Sequence, residues 1–406
     1  MISLIEIENF LSIRDHQVVD LRISGKVPDK FERFAPIFPG AATRAPKVVA
    51  LFGANASGKT NLLKALGFLV QFVRNPASRA ISGALVERFN DEESKNRSIR
   101  LAVEMAGLMD ATPEVISRAQ NGEAVTYGTY RYELILDLHD GLVRHVAQES
   151  LRQRPNDRGK WQRVFDRDGP QHAIGSKAFP IQGYRHLLNT LDPASSIVSN
   201  FAQFQHPGAL FLKNAVDQVG IFLDYQPVAA DNALIQYIGT RPDLLSTLNE
   251  DLSRIDLGIE QMRIDATPNG WLAKFRHHQL EADMPWMLQS HGTRAFIRIY
   301  PMLAEALARG SIAIVDELDL AIHPNMLPEI LRWFHDPGRN AKGAQLWFTG
   351  QSSSLLDDLK PEEVLFCEKD RQGRTCLFLA RDVARRDDNM RRKYLSGVYG
   401  AVPQIG

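Results

Sequence analysis

Five apolar residues, Val48-Val49-Ala50-Leu51-Phe52, run without a break into Gly53-Ala54-Asn55-Ala56-Ser57-Gly58-Lys59-Thr60. The second stretch fits G-x-x-x-x-G-K-[ST]. The apolar run predicts a short strand buried on both faces. Behind the loop, Leu62, Leu66, Leu69 and Val73 fall at helical spacing. A strand, a glycine loop and a helix in that order admit few folds, because the loop must bring backbone N–H groups and a helix N-terminus to one point. Gly53 and Gly58 allow backbone approaches that a side chain would block. Lys59 is placed to carry a positive charge to the β- and γ-phosphates of a nucleotide, and Thr60 to offer a hydroxyl to Mg²⁺. Asn55, Ser57 and Asn61, in and beside the loop, complete the expected nucleotide-binding set. A chance match to the pattern would lack this context on both sides.

A second apolar strand, Ile312-Ala313-Ile314-Val315, ends in Asp316 and Glu317. Asp316 is expected to hold Mg²⁺ directly or through water, and Glu317 to act as general base toward the attacking water. Apolar strands often end in acids, so this segment gains its meaning from the phosphate loop. Thr60 and Asp316 are 256 residues apart, which argues for a nucleotide-binding core split by a large insertion. Ser290-His291-Gly292-Thr293 opens the helix leading into this strand. One reading is an ordinary helix start capped by Ser290 or Thr293. The other is an anion site made by the hydroxyl, the glycine backbone and the helix N-terminus.

The expected fold class is therefore α/β, a P-loop head with a mixed sheet interrupted by a mainly helical α+β insertion. Residues 1–75 form the first part of the head, 76–285 the insertion and 286–406 the second part. Within the insertion, 130–138 and 142–149 read as a hairpin around Asp140-Gly141, and 185–262 as short helices punctuated by Pro193, Pro207, Pro227 and Pro242. A last hairpin is expected within 363–380. Lys plus Arg and Asp plus Glu both number 48, so a chain-wide basic footprint for nucleic acid is excluded. Local basic strips remain: 151–168 holds six Lys or Arg against three Asp, and 385–393 five against two. Most such runs are solvated faces, and the alternative is contact with DNA phosphates or an acidic partner. The two cysteines, Cys367 and Cys376, support neither a disulfide framework nor a four-ligand zinc site. No secretory leader or membrane-length apolar run stands out, so a cytoplasmic location without a membrane partner is expected.

Taken together, these motifs resemble the ABC-type ATPase superfamily, and within it the bacterial AAA-family ATPases related to OLD proteins, SMC heads and RecF. The resemblance rests on the Ile7-Glu8-Asn9-Phe10 strand, the Gly53–Asn61 loop, Ser290-His291-Gly292-Thr293 as a signature motif, and Asp316-Glu317-Leu318-Asp319 with His323-Pro324. It rests also on the ending Tyr394-Leu395-Ser396-Gly397 with Tyr399-Gly400-Ala401-Val402-Pro403. The match covers about residues 1–75 and 285–406 and is weak between them.

The resemblance implies head-to-tail dimers around two ATP molecules with Mg²⁺. In them Ser290, Gly292 and Thr293 would reach the γ-phosphate held by the other copy's Lys59, and His323 would lie in a loop crossing the interface. It also implies a standalone ATPase of bacterial anti-phage systems of the Septu, retron-associated or PARIS types, working with a separate effector, often a nuclease. No Toprim nuclease is expected within the chain.

One residue departs from the pattern. Where these ATPases usually place a switch histidine after the strand Gln345–Thr349, this chain has Gln351. Glutamine can hydrogen-bond a phosphate or water but carries no cationic charge, so slow hydrolysis is expected. Two rival readings stay open: a RecF- or SMC-like DNA-repair ATPase, and a nucleotide-gated scaffold that does not hydrolyse. A Q-loop is not placed, with Gln148, Gln203 and Gln205 as candidates.

Overall fold

The computed structural model describes residues 1–402 apart from residues 30, 77–85, 224–228, 255–257, 269, 279, 323–325 and 386–387. In chain order the strands are β1 (Ile2–Glu8), β2 (Gln17–Asp20), β3 (Phe34–Pro36), β4 (Arg44–Pro46), β5 (Val48–Phe52) and β6 (Ile99–Leu108). β7 (Tyr127–His139), β8 (Leu142–Pro155), β9 (Gln162–Asp168), β10 (His172–Gly175), β11 (Gly220–Phe222) and β12 (Ile259–Thr267) follow. The last six are β13 (Gly270–His277), β14 (Met284–Pro285), β15 (Ile312–Val315), β16 (Gln345–Thr349), β17 (Val364–Lys369) and β18 (Thr375–Leu379).

Two sheets carry the architecture. One has six strands in the order β11-β15-β16-β5-β17-β18. Its strands run parallel except β18, which returns antiparallel beside β17. The other has seven strands in the order β10-β9-β8-β7-β6-β1-β2, all antiparallel. The expected class, α/β with a mixed sheet, is what the chain adopts.

β5 explains why the first sheet is covered on both sides. All five of its residues are buried, and they alternate between two apolar clusters. Val49 and Leu51 join the cluster that fills the space between the sheets, together with Leu62, Leu66, Leu69 and Val73 of helix α1 (Lys59–Arg74). Val48, Ala50 and Phe52 face a second cluster, under the helices His291–Arg309 and Leu327–His335. Alternation of side chains across a strand puts successive residues on opposite faces, so a strand in the middle of a three-layer stack must be apolar throughout.

Side chains stitch the two sheets together at both margins. Gln345, fully buried at the start of β16, accepts from the Ile2 N–H at 2.9 Å and donates to the Ile2 carbonyl at 3.1 Å and the Pro46 carbonyl at 3.0 Å. At the other margin, Gln17 of β2 accepts from the Leu377 N–H of β18 at 3.1 Å.

The segment 76–285, expected as a mainly helical insertion, is divided among these two sheets and a separate three-stranded sheet, β12-β13-β14. β6 to β10 extend the sheet that β1 and β2 begin, and β11 joins the edge of the parallel sheet. The expected hairpin forms as β7 and β8 around Asp140 and Gly141, both at positive φ (51° and 71°), as a two-residue turn between twisted strands requires. The short helices are present, including Ile197–Gln203, Pro207–Asp217, Ala229–Gly239 and Pro242–Arg254. The end of that stretch differs, because β12 begins at Ile259. Its solvent-facing residues and a register shift between Ile259 and Gln261 remove the alternation that marks a strand. β6 did carry such a signal, with Ile99, Leu101, Val103 and Met105 at a period of two.

Within the antiparallel sheet lies a fully buried ion pair, Arg167 with Glu149 at 3.3 Å. Glu149 also accepts from the Tyr132 hydroxyl (2.9 Å), the Ser196 hydroxyl (2.6 Å) and the Ile197 N–H (2.9 Å). Arg167 donates to the Ser195 carbonyl at 2.6 Å and the Gly169 carbonyl at 3.0 Å. The pair thereby anchors the start of helix Ile197–Gln203 to the sheet. Removing one partner strands the other charge, so Glu149→Ala is expected to cost about 3–5 kcal/mol in equilibrium denaturation.

Candidate functional site

The C-terminal ends of the parallel strands bring the expected residues together. β5 ends at the phosphate loop, β15 at Asp316 and Glu317, and β16 at Thr349 and the turn carrying Gln351. Asn55–Asn61, Glu317, Thr349, Gln351 and Lys369 line a cleft of ≈ 430 Å³ between them.

The two loop glycines sit where no side chain fits. A Cβ on Gly53 would lie 2.2 Å from the Cys367 carbonyl oxygen of β17. One on Gly58 would lie 2.2 Å from the Thr375 hydroxyl of β18, and Gly58 also has φ of +102°. Thr375 in turn donates to the Ser57 carbonyl at 2.8 Å and meets the Ser12 hydroxyl at 2.7 Å. Asn61 gives its amide to Ser12 at 2.6 Å. Its side chain braces the start of α1 against the segment after β1, and Asn61 also lines the cleft. Lys59 is buried and donates to the Gly53 and Ala54 carbonyls at 2.8 and 3.0 Å. Burial pulls its pKa below the ordinary lysine value.

Thr60 and Asp316 converge, with Oγ1 to Oδ1 at 3.2 Å. Two hard oxygen donors at that separation fit adjacent corners of a Mg²⁺ octahedron, whose edge is about 3 Å for metal–oxygen distances of about 2.1 Å. When bound with a nucleotide, Mg²⁺ would neutralise phosphate charge and polarise the phosphoryl group.

Thr349 was not expected in the site. Its hydroxyl donates to Asp316 at 2.5 Å and accepts from the Glu317 N–H at 2.7 Å. One buried hydroxyl thus sets both the carboxylate of Asp316 and the backbone of Glu317. The available clue was a polar residue closing an otherwise apolar strand. Glu317 holds a left-handed backbone with φ of +52°, costly for a residue with a side chain. Burial raises its pKa, with the charges of Asp316 and Asp319 adding to the rise. Asp319 accepts from the N–H groups of Gln351 and Ser352, which fixes the turn presenting Gln351.

Ser290 and Thr293 form the start of helix His291–Arg309. The Ser290 hydroxyl caps it by accepting from the Thr293 N–H at 3.0 Å and also pairs with the Thr293 hydroxyl at 2.8 Å. The capping reading therefore holds. Neither these two nor Gly292 lines the phosphate cleft. His323 and Pro324 lie outside the described residues, as do Arg386, Asp387 and Pro403.

Part of each basic strip is paired. Arg167 is buried, Arg152 pairs with Asp166 and Arg154 with Asp157, while Arg391 pairs with Asp357 and Lys393 with Asp388. Among the described residues no helix is long and apolar enough to cross a membrane.

The sequence matches, over residues 48–357, the family model described as "AAA domain, putative AbiEii toxin, Type IV TA system". The chain belongs to this AAA-domain family. The match runs from the first residue of β5, through the phosphate loop and the carboxylate pair, to the segment after Gln351. Among solved structures, the chain is similar to the SMC head domain from Thermotoga maritima, at 12% identity. That similarity covers 93% of this chain and 98% of the other, with a TM-score of 0.41, too loose to carry a functional inference. No curated protein matches the chain significantly.

The raised pKa of Glu317 has a definite sign. Its folded-state pKa lies above the unfolded value, so the fold binds that proton more tightly, and the contribution to stability present at low pH is lost as pH rises through the folded pKa. Glu317→Gln is therefore expected to raise the melting temperature at pH 7 relative to wild type and to leave it nearly unchanged below the ordinary glutamate pKa. Thermal melts at the two pH values check this.

Proposed function

We propose that this family member is an ATP-driven switch. It binds ATP with Mg²⁺, pairs head-to-tail with a second copy and hydrolyses slowly. In the cell it would act as sensor or scaffold for a separate effector, such as a nuclease, in anti-phage defence.

The observation that carries the reading is the convergence of Lys59, Thr60 and Glu317 in one cleft, with Asp316 bonded to Thr60 beside it, while the signature residues stand outside it. Lys59 holds the β- and γ-phosphates, and Thr60 with Asp316 would hold Mg²⁺. Glu317 accepts a proton from water as the water oxygen attacks the γ-phosphorus. The bond from that phosphorus to the bridging oxygen breaks, leaving ADP and phosphate. Gln351 orients the water or a phosphate oxygen without adding positive charge.

Ser290, Gly292 and Thr293 complete such a site only from a second copy. Just before them Met287 and Leu288 are 77% and 66% exposed, an apolar pair that a partner would cover. Loss of the γ-phosphate contacts on hydrolysis would release the pair. The role in defence rests on the order of motifs, and the toxin–antitoxin wording of the family description agrees with a module that acts on the host cell.

Steady-state phosphate release tests the chemistry. Wild type is expected to turn over slowly, Glu317→Gln to fall at least about 100-fold, given the size of general-base contributions, and Gln351→His to exceed wild type. Equal, near-zero rates for wild type and Glu317→Gln would instead support the non-hydrolysing scaffold. Light scattering tests assembly. Glu317→Gln is expected to dimerise when ATP is added, and Gly292→Asp in that background to remain monomeric while still binding ATP, because the added charge would face the partner's γ-phosphate.

A further inference from the structure

The cleft has a cation that no motif explains. Lys369 is the last residue of β17 and lines the cleft beside the phosphate loop. It is exposed, and among the described residues its ammonium makes no ion pair or hydrogen bond. Its neighbour Asp370 does not neutralise it, since that carboxylate is taken by Arg374 at 2.6 Å. Side-chain alternation along β17 puts Lys369 on the same face as Cys367, whose carbonyl abuts Gly53. The β17–β18 hairpin is held to the loop through Thr375 and Ser57, so Lys369 is carried on a braced element.

The strand order gives the cleft a direction. Across the sheet run β15 with Asp316 and Glu317, β16 with Thr349 and Gln351, β5 with the phosphate loop, and then β17 with Lys369. The acidic end can hold only the part of a nucleotide that carries Mg²⁺ and meets water, namely its terminal phosphate. The opposite end receives the phosphate nearest the nucleoside. We propose that Lys369 is a second phosphate-binding lysine of this site and contacts the α-phosphate end of the nucleotide. This rests on the reading of the cleft as an ATP site. It adds which part of the nucleotide each end of the cleft recognises.

An α-phosphate contact is common to ATP and ADP, whereas a γ-phosphate contact is not. Isothermal titration with ATP and with ADP, both with Mg²⁺, in a Glu317→Gln background that blocks turnover, separates the two. Lys369→Gln is expected to weaken both nucleotides by the same factor, about 3- to 10-fold, as loss of one charge-assisted contact implies. Lys369→Arg is expected to restore most of the affinity. Weaker ATP binding with ADP unchanged would overturn the proposal by placing Lys369 on the terminal phosphate, and no change in either would overturn it by removing the contact. Lys59→Ala in the same background is the control. If the parent protein bound no ATP, or bound it as well without Lys59, the reading of the cleft itself would fall, and the proposal with it.

Discussion

The structure depends on two points where a side chain cannot exist. The phosphate loop is packed so closely against the β17–β18 hairpin that Gly53 and Gly58 leave no space for a Cβ. That contact sets the height of the loop above the sheet and aims α1. It also ties the loop to Ser12 after β1, since Thr375, Ser57, Ser12 and Asn61 form one connected set of hydrogen bonds. Both sheets therefore meet at the nucleotide loop. The fold brings its most constrained backbone to the place where phosphate would be held, consistent with backbone strain being tolerated where the surrounding structure over-determines it.

The second constraint is electrostatic. Asp316, Glu317 and Asp319 stand close together with Lys59 nearby, and Thr349 and the backbone of the turn after β16 satisfy part of that negative charge. Like charges close together disfavour ionisation, which is one reason the Glu317 pKa rises. The cluster is poised for a cation and a polyphosphate, and the same groups that cost stability in the free chain are those the proposed chemistry uses.

Much of this was legible in residue order because it is local. A phosphate loop needs consecutive residues, and an apolar strand ending in acids is contiguous too, so β5, α1, β15 and the carboxylate pair could be read directly. So could the β7–β8 and β17–β18 hairpins from their turn residues. What escaped depends on contacts distant in sequence. Thr349 acts through Asp316, 33 positions away. Gln345 joins Ile2 across 343 positions. Lys369 is an ordinary strand-end lysine until strand order places β17 beside β5. The pairing of strands within 76–285 was not legible for the same reason: β6 joins β1, β11 joins β15 and β12 to β14 pair among themselves, and a sequence pattern marks a strand without naming its partner.

Sequence alone determined the chemistry that neighbouring residues can specify: a glycine loop for phosphate, a lysine and threonine at a helix start, two acids closing a buried strand. Tertiary structure decided how those parts are arranged. It put β16 between β5 and β15, so that Thr349 reaches the Asp316 carboxylate and the Glu317 N–H, and β17 on the other side, so that the cleft has an acidic and a basic end. It left the signature residues outside the cleft, and it buried Arg167, one of the residues that had read as a basic strip. The physical reason is that side-chain identity fixes what a group can bind, whereas sheet order and packing fix what it can reach.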